Sequence, residues 1–266
     1  MGLALDVIST RVANSGAAFT ATTAAPGDTL TVRNFADTAQ SNLINLIRRG
    51  ATSGSARVRS PLLHDNVRGI AITSGQTPTI FALPRELSQR LFAQDTLIVE
   101  VTGGAAETDL VLLVLYYTDL LGVAARLHMR GDIEGNIDNI KPVTVAVTNS
   151  ATIGNWTDTV ITTTEDLLHA NTDYAVLGFM TDTAQSFVAV NGQDTGNLRV
   201  GGPGTTQVED TADYFIAQGI YHNIPYIPVI NSANKNGTFV STCDSVASST
   251  ANVTLVLAEL TRNLPS

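Results

Sequence analysis

Five arginines lie close together between residues 48 and 68 and form the strongest candidate for a binding role. A guanidinium pairs in a planar fork with carboxylate or phosphate, so a cluster of arginines favours an acidic partner. Aromatic residues that could stack on single-stranded bases are absent from the Gly/Ser-rich stretch 50–60. We expect the arginines to contact acidic residues of the second half of the chain or of a neighbouring copy. Packaged nucleic acid and an ordinary solvated surface are the alternatives. The five are Arg48, Arg49, Arg57, Arg59 and Arg68.

Four oxygen-bearing side chains alternate with Ile and Gly between residues 132 and 138. In an extended conformation they would project from one face, and calcium takes about six to eight such oxygens. The glycine is not where an EF-hand loop requires it, and no bidentate Glu closes the series. A solvated acidic linker or a partner for arginine is therefore expected, with calcium as the alternative. The four are Asp132, Glu134, Asn136 and Asp138.

Other patterns that could carry catalysis lack their partners. Asp194-Thr195-Gly196 matches the aspartic protease triplet, which needs a second carboxylate, but the chain has no second Asp-Thr-Gly. The four histidines show none of the close spacings typical of zinc ligands. Cys243, the single cysteine, is expected to be a small buried side chain rather than a nucleophile. We therefore expect no enzymatic activity and no cofactor.

The charge of the 266-residue chain is unevenly divided. Its net charge is −9, and residues 1–130 carry +1 while residues 131–266 carry −10. Lys occurs only at positions 141 and 235, and the other 13 basic residues are Arg. This balance argues against free binding to nucleic acid and suggests that opposite charges meet, within the chain or between copies. The longest apolar run, 110–117, is far shorter than the roughly 20 residues of a membrane helix, so no membrane span is expected.

Strand signals dominate the sequence. Short runs rich in Thr, Val and Ile recur between Gly, Asn, Asp and Pro, which is typical of antiparallel β-structure. Helical spacing is found only in Thr38–Arg48, in Pro84–Leu91 and in a single turn at Asp166–Ala170. Strands are predicted at 29–32, 69–73, 96–102, 110–117, 143–148, 159–164, 174–180, 186–190, 239–242 and 252–258.

The two halves of the chain resemble each other at an offset of about 140 residues. Asp95–Val101 followed by the apolar run 110–115 corresponds to Asn236–Thr242 followed by 253–257. Each pair reads as two strands that close a β-sandwich. The Gly- and acid-rich segment between the halves marks a boundary. We predict an all-β chain of two tandem antiparallel, jelly-roll-like sandwiches with few short helices, 1–130 and 142–266, joined by a linker at 131–141.

Three segments resemble segments of bacteriophage virion proteins: Asp95–Val101, Tyr116–Gly122 and Asp166–Tyr174. Together the three segments contain 23 of the 266 residues. The resemblance implies a tandem jelly-roll coat protein of an icosahedral phage, or a decoration or tail component. Such proteins are not enzymes. They associate in many copies and with other virion proteins, are made in the host cytoplasm and reside in the virion.

A carbohydrate-binding sandwich is the alternative function. Aromatic side chains form the sugar-binding grooves of such proteins, and the only tryptophan of this chain is Trp156. Four further aromatics cluster with two prolines in a loop-rich segment. They are Tyr214, Phe215, Tyr221 and Tyr226.

Overall fold

Among the residues that the computed structural model describes, the Thr-, Val- and Ile-rich runs form 18 strands. The structure describes residues 2–13, 27–35, 40–63, 69–74, 79–82, 89–105, 107–120, 125–162, 168–205 and 211–265. The first half contains β1 (Gly2–Ala13), β2 (Gly27–Thr31), β3 (Gln40–Arg49), β4 (Gly54–Arg59), β5 (Ile70–Ser74), β6 (Thr79–Ala82), β7 (Gln89–Leu91), β8 (Thr96–Thr102) and β9 (Thr108–Leu120).

The second half adds nine strands and its own short helices. The strands are β10 (Leu127–His128), β11 (Ile137–Thr148), β12 (Thr157–Val160), β13 (Asp173–Thr181), β14 (Phe187–Gly192), β15 (Val200–Pro203), β16 (Ile227–Asn231), β17 (Thr238–Cys243) and β18 (Thr250–Leu260). The helices are α1 (Arg130–Glu134), α2 (Tyr214–His222) and a 3₁₀ helix (Ser232–Gly237).

Each half is a sandwich of two antiparallel sheets with the same strand order. The first half pairs its strands as β1-β9-β3-β6 and β2-β8-β4-β5, with β7 also on β3. The second half pairs them as β11-β18-β13-β16 and β12-β17-β14-β15, with β10 beyond β16. In both halves the first strand pairs with the last. Apart from β7, each remaining strand of the first half lies in the same sheet position as its counterpart in the second half. This is the jelly-roll arrangement, so the prediction of two tandem jelly-roll sandwiches is confirmed.

The sheet β1-β9-β3 is buried on both faces. Along β9, alternate side chains fall into different cores: Leu113 lies in the core of the first sandwich, and Leu112 lies in the core of the second half. Both are fully buried. Burial on both faces explains why 110–117 is continuously apolar instead of alternating with polar residues. The outer side chains of this sheet therefore belong to the core of the second half, which both halves share.

The helix predicted at 38–48 is wrong. Residues 40–49 form β3, and a register shift occurs between Leu43 and Asn45 in its pairing with β9. Because the shift inserts one residue, Leu43 and Leu46 face the first core while Ile44 and Ile47 face the second half. The resulting apolar spacing imitates a helical stripe. In the window Pro84–Leu91, residues 83–88 lie outside the described residues, and Gln89–Leu91 are the strand β7.

The segment predicted as a linker, 131–141, has regular structure. It contains most of α1 and the beginning of β11, which pairs with β18 from Ile137 onward. Ile133 is buried and anchors α1 to the second core. The extended conformation expected for the acidic series is corrected accordingly, since Asp132 and Glu134 lie on a helix.

Candidate functional site: internal ion pairs and the seam between the halves

Arg48 forms an ion pair inside the first half. Its Nη2 and Nε lie 2.7 and 3.0 Å from Oδ2 of Asp109, and its Nη1 donates to the carbonyl of Thr52 at 3.1 Å. Both charged side chains are fully buried. A Cβ at Gly50 would lie 2.4 Å from Arg48 Nη2, so the guanidinium fills space that only glycine leaves free. Arg48 is an interior residue, and these partners lie in the first half.

Arg57 and Arg59 share a second carboxylate of the first half. The register between β4 and β8 places Arg57 directly opposite Glu100. Arg57 Nε lies 2.5 Å and Arg59 Nε 2.9 Å from Oε2 of Glu100, whose side chain is 1% exposed. These partners differ from the predicted acidic residues of the second half, because strand pairing within one sheet brings the charges together.

Arg49 and Arg68 are the two remaining arginines of the cluster. Arg49 is half-buried at the end of β3, opposite Leu110. Arg68 lies outside the described residues. A role of these two at a subunit contact or toward nucleic acid stays a prediction.

A second group of polar contacts joins the two halves along the outer side of β1. Val7 N–H donates to the carbonyl of Arg199 at 2.9 Å, just before β15. Trp156 Nε1 donates to Ser9 Oγ at 2.8 Å. We call this contact of β1, β9 and β3 with the second half the seam.

A buried polar cluster lies in the seam where α2 packs on β3. Asn45 Nδ2 donates to Oε1 of Gln218 at 3.0 Å and lies 3.4 Å from the hydroxyl of Tyr214. His222 is fully buried, its Nε2 lies 3.0 Å from Oδ1 of Asn45, and its ring stacks on Tyr226 at 5.7 Å between centroids. Buried polar groups that satisfy each other fix one relative position of the packed elements. The seam is therefore a specific interface rather than a loose apolar contact.

An ionic junction holds the start and the end of the second half together. Arg126 donates to both carboxylate oxygens of Asp173 at 2.9 and 2.5 Å and to the carbonyl of Leu264 at 2.9 Å. Burial raises the pKa of Asp173, but hydrogen bonds from Arg126, from the Leu264 N–H and from Asn231 outweigh it, so the net pKa lies below its usual value. The junction fixes the residues that follow the first half against β13 and the C-terminal tail.

Asp6 is a buried carboxylate on the side of β1 that faces the first core. Its Oδ2 lies 2.8 Å from Nε of Arg33, which is half-exposed. Burial raises the pKa of Asp6 to about 6, against a smaller opposite effect of Arg33. Burial also raises the pKa of the neighbouring Tyr117 hydroxyl far above its usual value.

The raised pKa of Asp6 predicts a pH dependence of stability. Between pH 3.8 and about 6 the native state holds a proton at Asp6 that the unfolded chain has released. Because the native state binds more protons, the free energy of unfolding falls as the pH rises through this window. The total fall is about 3 kcal/mol. Above about pH 6 the contribution of Asp6 to the free energy of unfolding no longer changes with pH. Urea denaturation at pH 4–7 should show this fall in the wild type and a flatter profile in Asp6→Asn. Identical profiles would exclude Asp6 as its source.

The acidic series 132–138 is used in local structure. Asp132 accepts a hydrogen bond from the Met129 N–H at 3.1 Å, and Glu134 pairs with Arg130 one turn away. Asn136 Nδ2 donates to the carbonyl of Asp132 at 2.8 Å. Within the described ranges no three His, Cys, Asp or Glu side chains form a group that could hold a metal ion.

The other sequence motifs also have local roles. Asp194 lies in a turn and accepts hydrogen bonds from the Asn231 N–H at 2.9 Å and from Asn234 Nδ2. Tyr214, Phe215 and Tyr226 are buried in contact with one another. Their rings therefore present no stacking surface to a sugar.

Comparisons with known proteins add little. No family model matches the chain, and no curated protein matches it. Solved structures with some similarity include PBSX exported protein XepA (9% identity, TM-score 0.27, covering 94% of this chain and 86% of that one). YhaK from Escherichia coli (8%, 0.23, 97% and 87%) and the STIV MCP (7%, 0.23, 98% and 97%) are similar to a comparable degree. At these TM-scores the likenesses carry no argument about function. No helix in the described part of the chain is long and apolar enough to cross a membrane.

Proposed function

We propose that this chain is a virion structural protein, a coat subunit that assembles in many copies into the icosahedral shell of a bacteriophage. The observation that carries the proposal is the repeated strand order: two jelly rolls in tandem share one core across β1-β9-β3. Jelly rolls are a recurrent building unit of viral capsids, and this step is an analogy at the level of the fold. The role is non-enzymatic, and its partners are further copies of the chain and other virion proteins.

The side-chain chemistry supports a rigid building block. A shell subunit must keep its shape while it makes several interfaces, and here the arginines Arg48, Arg57 and Arg126 tie strands together internally. Lys, the residue most suited to a freely solvated surface, occurs only twice. The carbohydrate-binding alternative loses three of its clustered aromatics to the core.

Light scattering of the purified chain tests the proposal. At moderate salt and rising protein concentration we expect the mass to exceed that of the 28.0 kDa monomer many times, with discrete oligomers or closed particles. A monodisperse monomer over the whole concentration range would contradict a coat function.

A further inference from the structure

The two halves have equivalent sheets, so each surface of the first half has a counterpart in the second. Val7 lies opposite Val114 in the β1–β9 pair, and Pro142 lies opposite Val256 in the β11–β18 pair. When the two strand pairs are superimposed, Val7 therefore corresponds to Pro142, and Leu5, two residues earlier in β1, corresponds to Ile140 in β11. The face of β1 and β9 that forms the seam therefore corresponds to the outward face of β11 and β18.

In the first half the centre of this face is apolar and covered by the second half, while Arg11 at its end is exposed. Leu5, Leu112 and Val114 are at most 1% exposed and belong to the same core cluster as side chains of the second half. Ser9, on the same face, accepts the hydrogen bond of Trp156. The seam thus shows how one jelly roll of this chain packs on another.

In the second half the corresponding face is open, and its side chains on β11 and β18 are uncharged; at its end Asn252 Nδ2 donates to the carboxylate of Asp182 at 2.6 Å. Ile140 is 46% exposed, and Val256 is half-buried. Depletion of charged residues is the compositional mark of an interface centre, whereas a solvated sheet face normally carries charges. We call this surface the β11–β18 outer face. Its side chains are Ile140, Pro142, Thr144, Ala146, Thr148, Asn252, Thr254 and Val256.

We propose that the β11–β18 outer face binds the first half of a second copy of the chain, in the way the second half binds β1 and β9 at the seam. This rests on the proposed self-assembly and names its contact surface. The arrangement is head-to-tail, because the second half of one copy meets the first half of the next. The strand of the incoming copy that corresponds to β15 is β5, since both are end strands of their sheets among the described residues.

One hydrogen bond of the seam cannot be repeated between copies. Val7 donates its N–H to Arg199 at the seam, but its counterpart Pro142 has no N–H. A proline on an end strand also blocks open-ended strand pairing. The contact between copies is therefore made by side chains of the outer face rather than by extension of the sheet.

A charge placed on the outer face tests the proposal. Ile140 is 46% exposed in the single chain but corresponds to Leu5, which is fully buried at the seam, so Ile140→Arg should fold normally and reduce the assembled fraction in light scattering by about tenfold or more, because the new charge would be buried without a partner. The matched control is Ala233→Arg in the 3₁₀ helix, also exposed, which should assemble like the wild type.

The outcomes separate this inference from the proposed function. If the wild type assembles and Ile140→Arg assembles equally well, the outer face is not the contact surface, and the coat function stands. If the wild type remains monomeric at every concentration, both proposals are overturned.

Crosslinking identifies the partner surface. Ile140→Cys and Ala71→Cys, the latter exposed on β5, are mixed and treated with a short bis-maleimide, because the seam residues around Val7 that meet β15 correspond to the stretch 140–142. Burial raises the pKa of the Cys243 thiol to about 12, so the native cysteine does not compete. We expect crosslinked dimers in the mixture and none with either variant alone. Dimers from Ile140→Cys alone would show a symmetric contact and overturn the head-to-tail arrangement.

Discussion

The Arg48→Ala variant should lose about 3–5 kcal/mol of unfolding free energy, because it leaves the carboxylate of Asp109 buried without its guanidinium. Neither side chain is exposed, so the carboxylate would stay in a desolvated site without a charged partner. The loss should appear as a lower urea midpoint at unchanged slope.

Two further variants serve as controls for the Arg48→Ala result. Arg48→Met combined with Asp109→Leu removes both charges and should recover most of the loss, since replacing a buried pair by apolar residues is often neutral. Arg130→Ala removes an arginine from the exposed pair with Glu134 and should cost less than about 1 kcal/mol. If Arg48→Ala were as mild as Arg130→Ala, the guanidinium would not be buried with Asp109.

The Leu5→Ala variant should cost about 2–5 kcal/mol, because Leu5 is fully buried in the core shared by the two halves. Its counterpart Ile140 is nearly half-exposed, so Ile140→Ala should change the unfolding free energy of the single chain by less than about 1 kcal/mol. The pair compares similar truncations at equivalent positions of the two jelly rolls.

Trp156 reports whether the halves unfold together. It lies in the second half and donates to Ser9 in the first, so its fluorescence is sensitive to the seam. With one shared core, fluorescence and far-ultraviolet circular dichroism should give coincident transitions that shift together in Leu5→Ala. Two separate transitions, of which only one shifts in Leu5→Ala, would show that the halves unfold independently.

The strand content and the repeat could be predicted because they depend on local patterns. The segment 95–101 and the apolar run after it form the consecutive strands β8 and β9. The segment 236–242 and the run after it form their counterparts, β17 and β18. The strand β3 was missed because a register shift together with burial on both faces turns its apolar alternation into helix-like spacing.

The internal ion pairs could not be assigned from the sequence. Arg57 and Glu100 are 43 residues apart, and only the register of β4 on β8 brings them together. The seam cluster was also missed, because Asn45 and His222 are 177 residues apart. Asn45 does carry a signal, since an amide inside the apolar run 43–47 must find a buried hydrogen-bond partner.

Electron microscopy of the purified protein at moderate salt tests the coat function most directly. We expect closed symmetric particles, or uniform oligomers in which the second half of each chain contacts the first half of the next. A field of single two-lobed monomers, unchanged on raising the protein concentration, would contradict it.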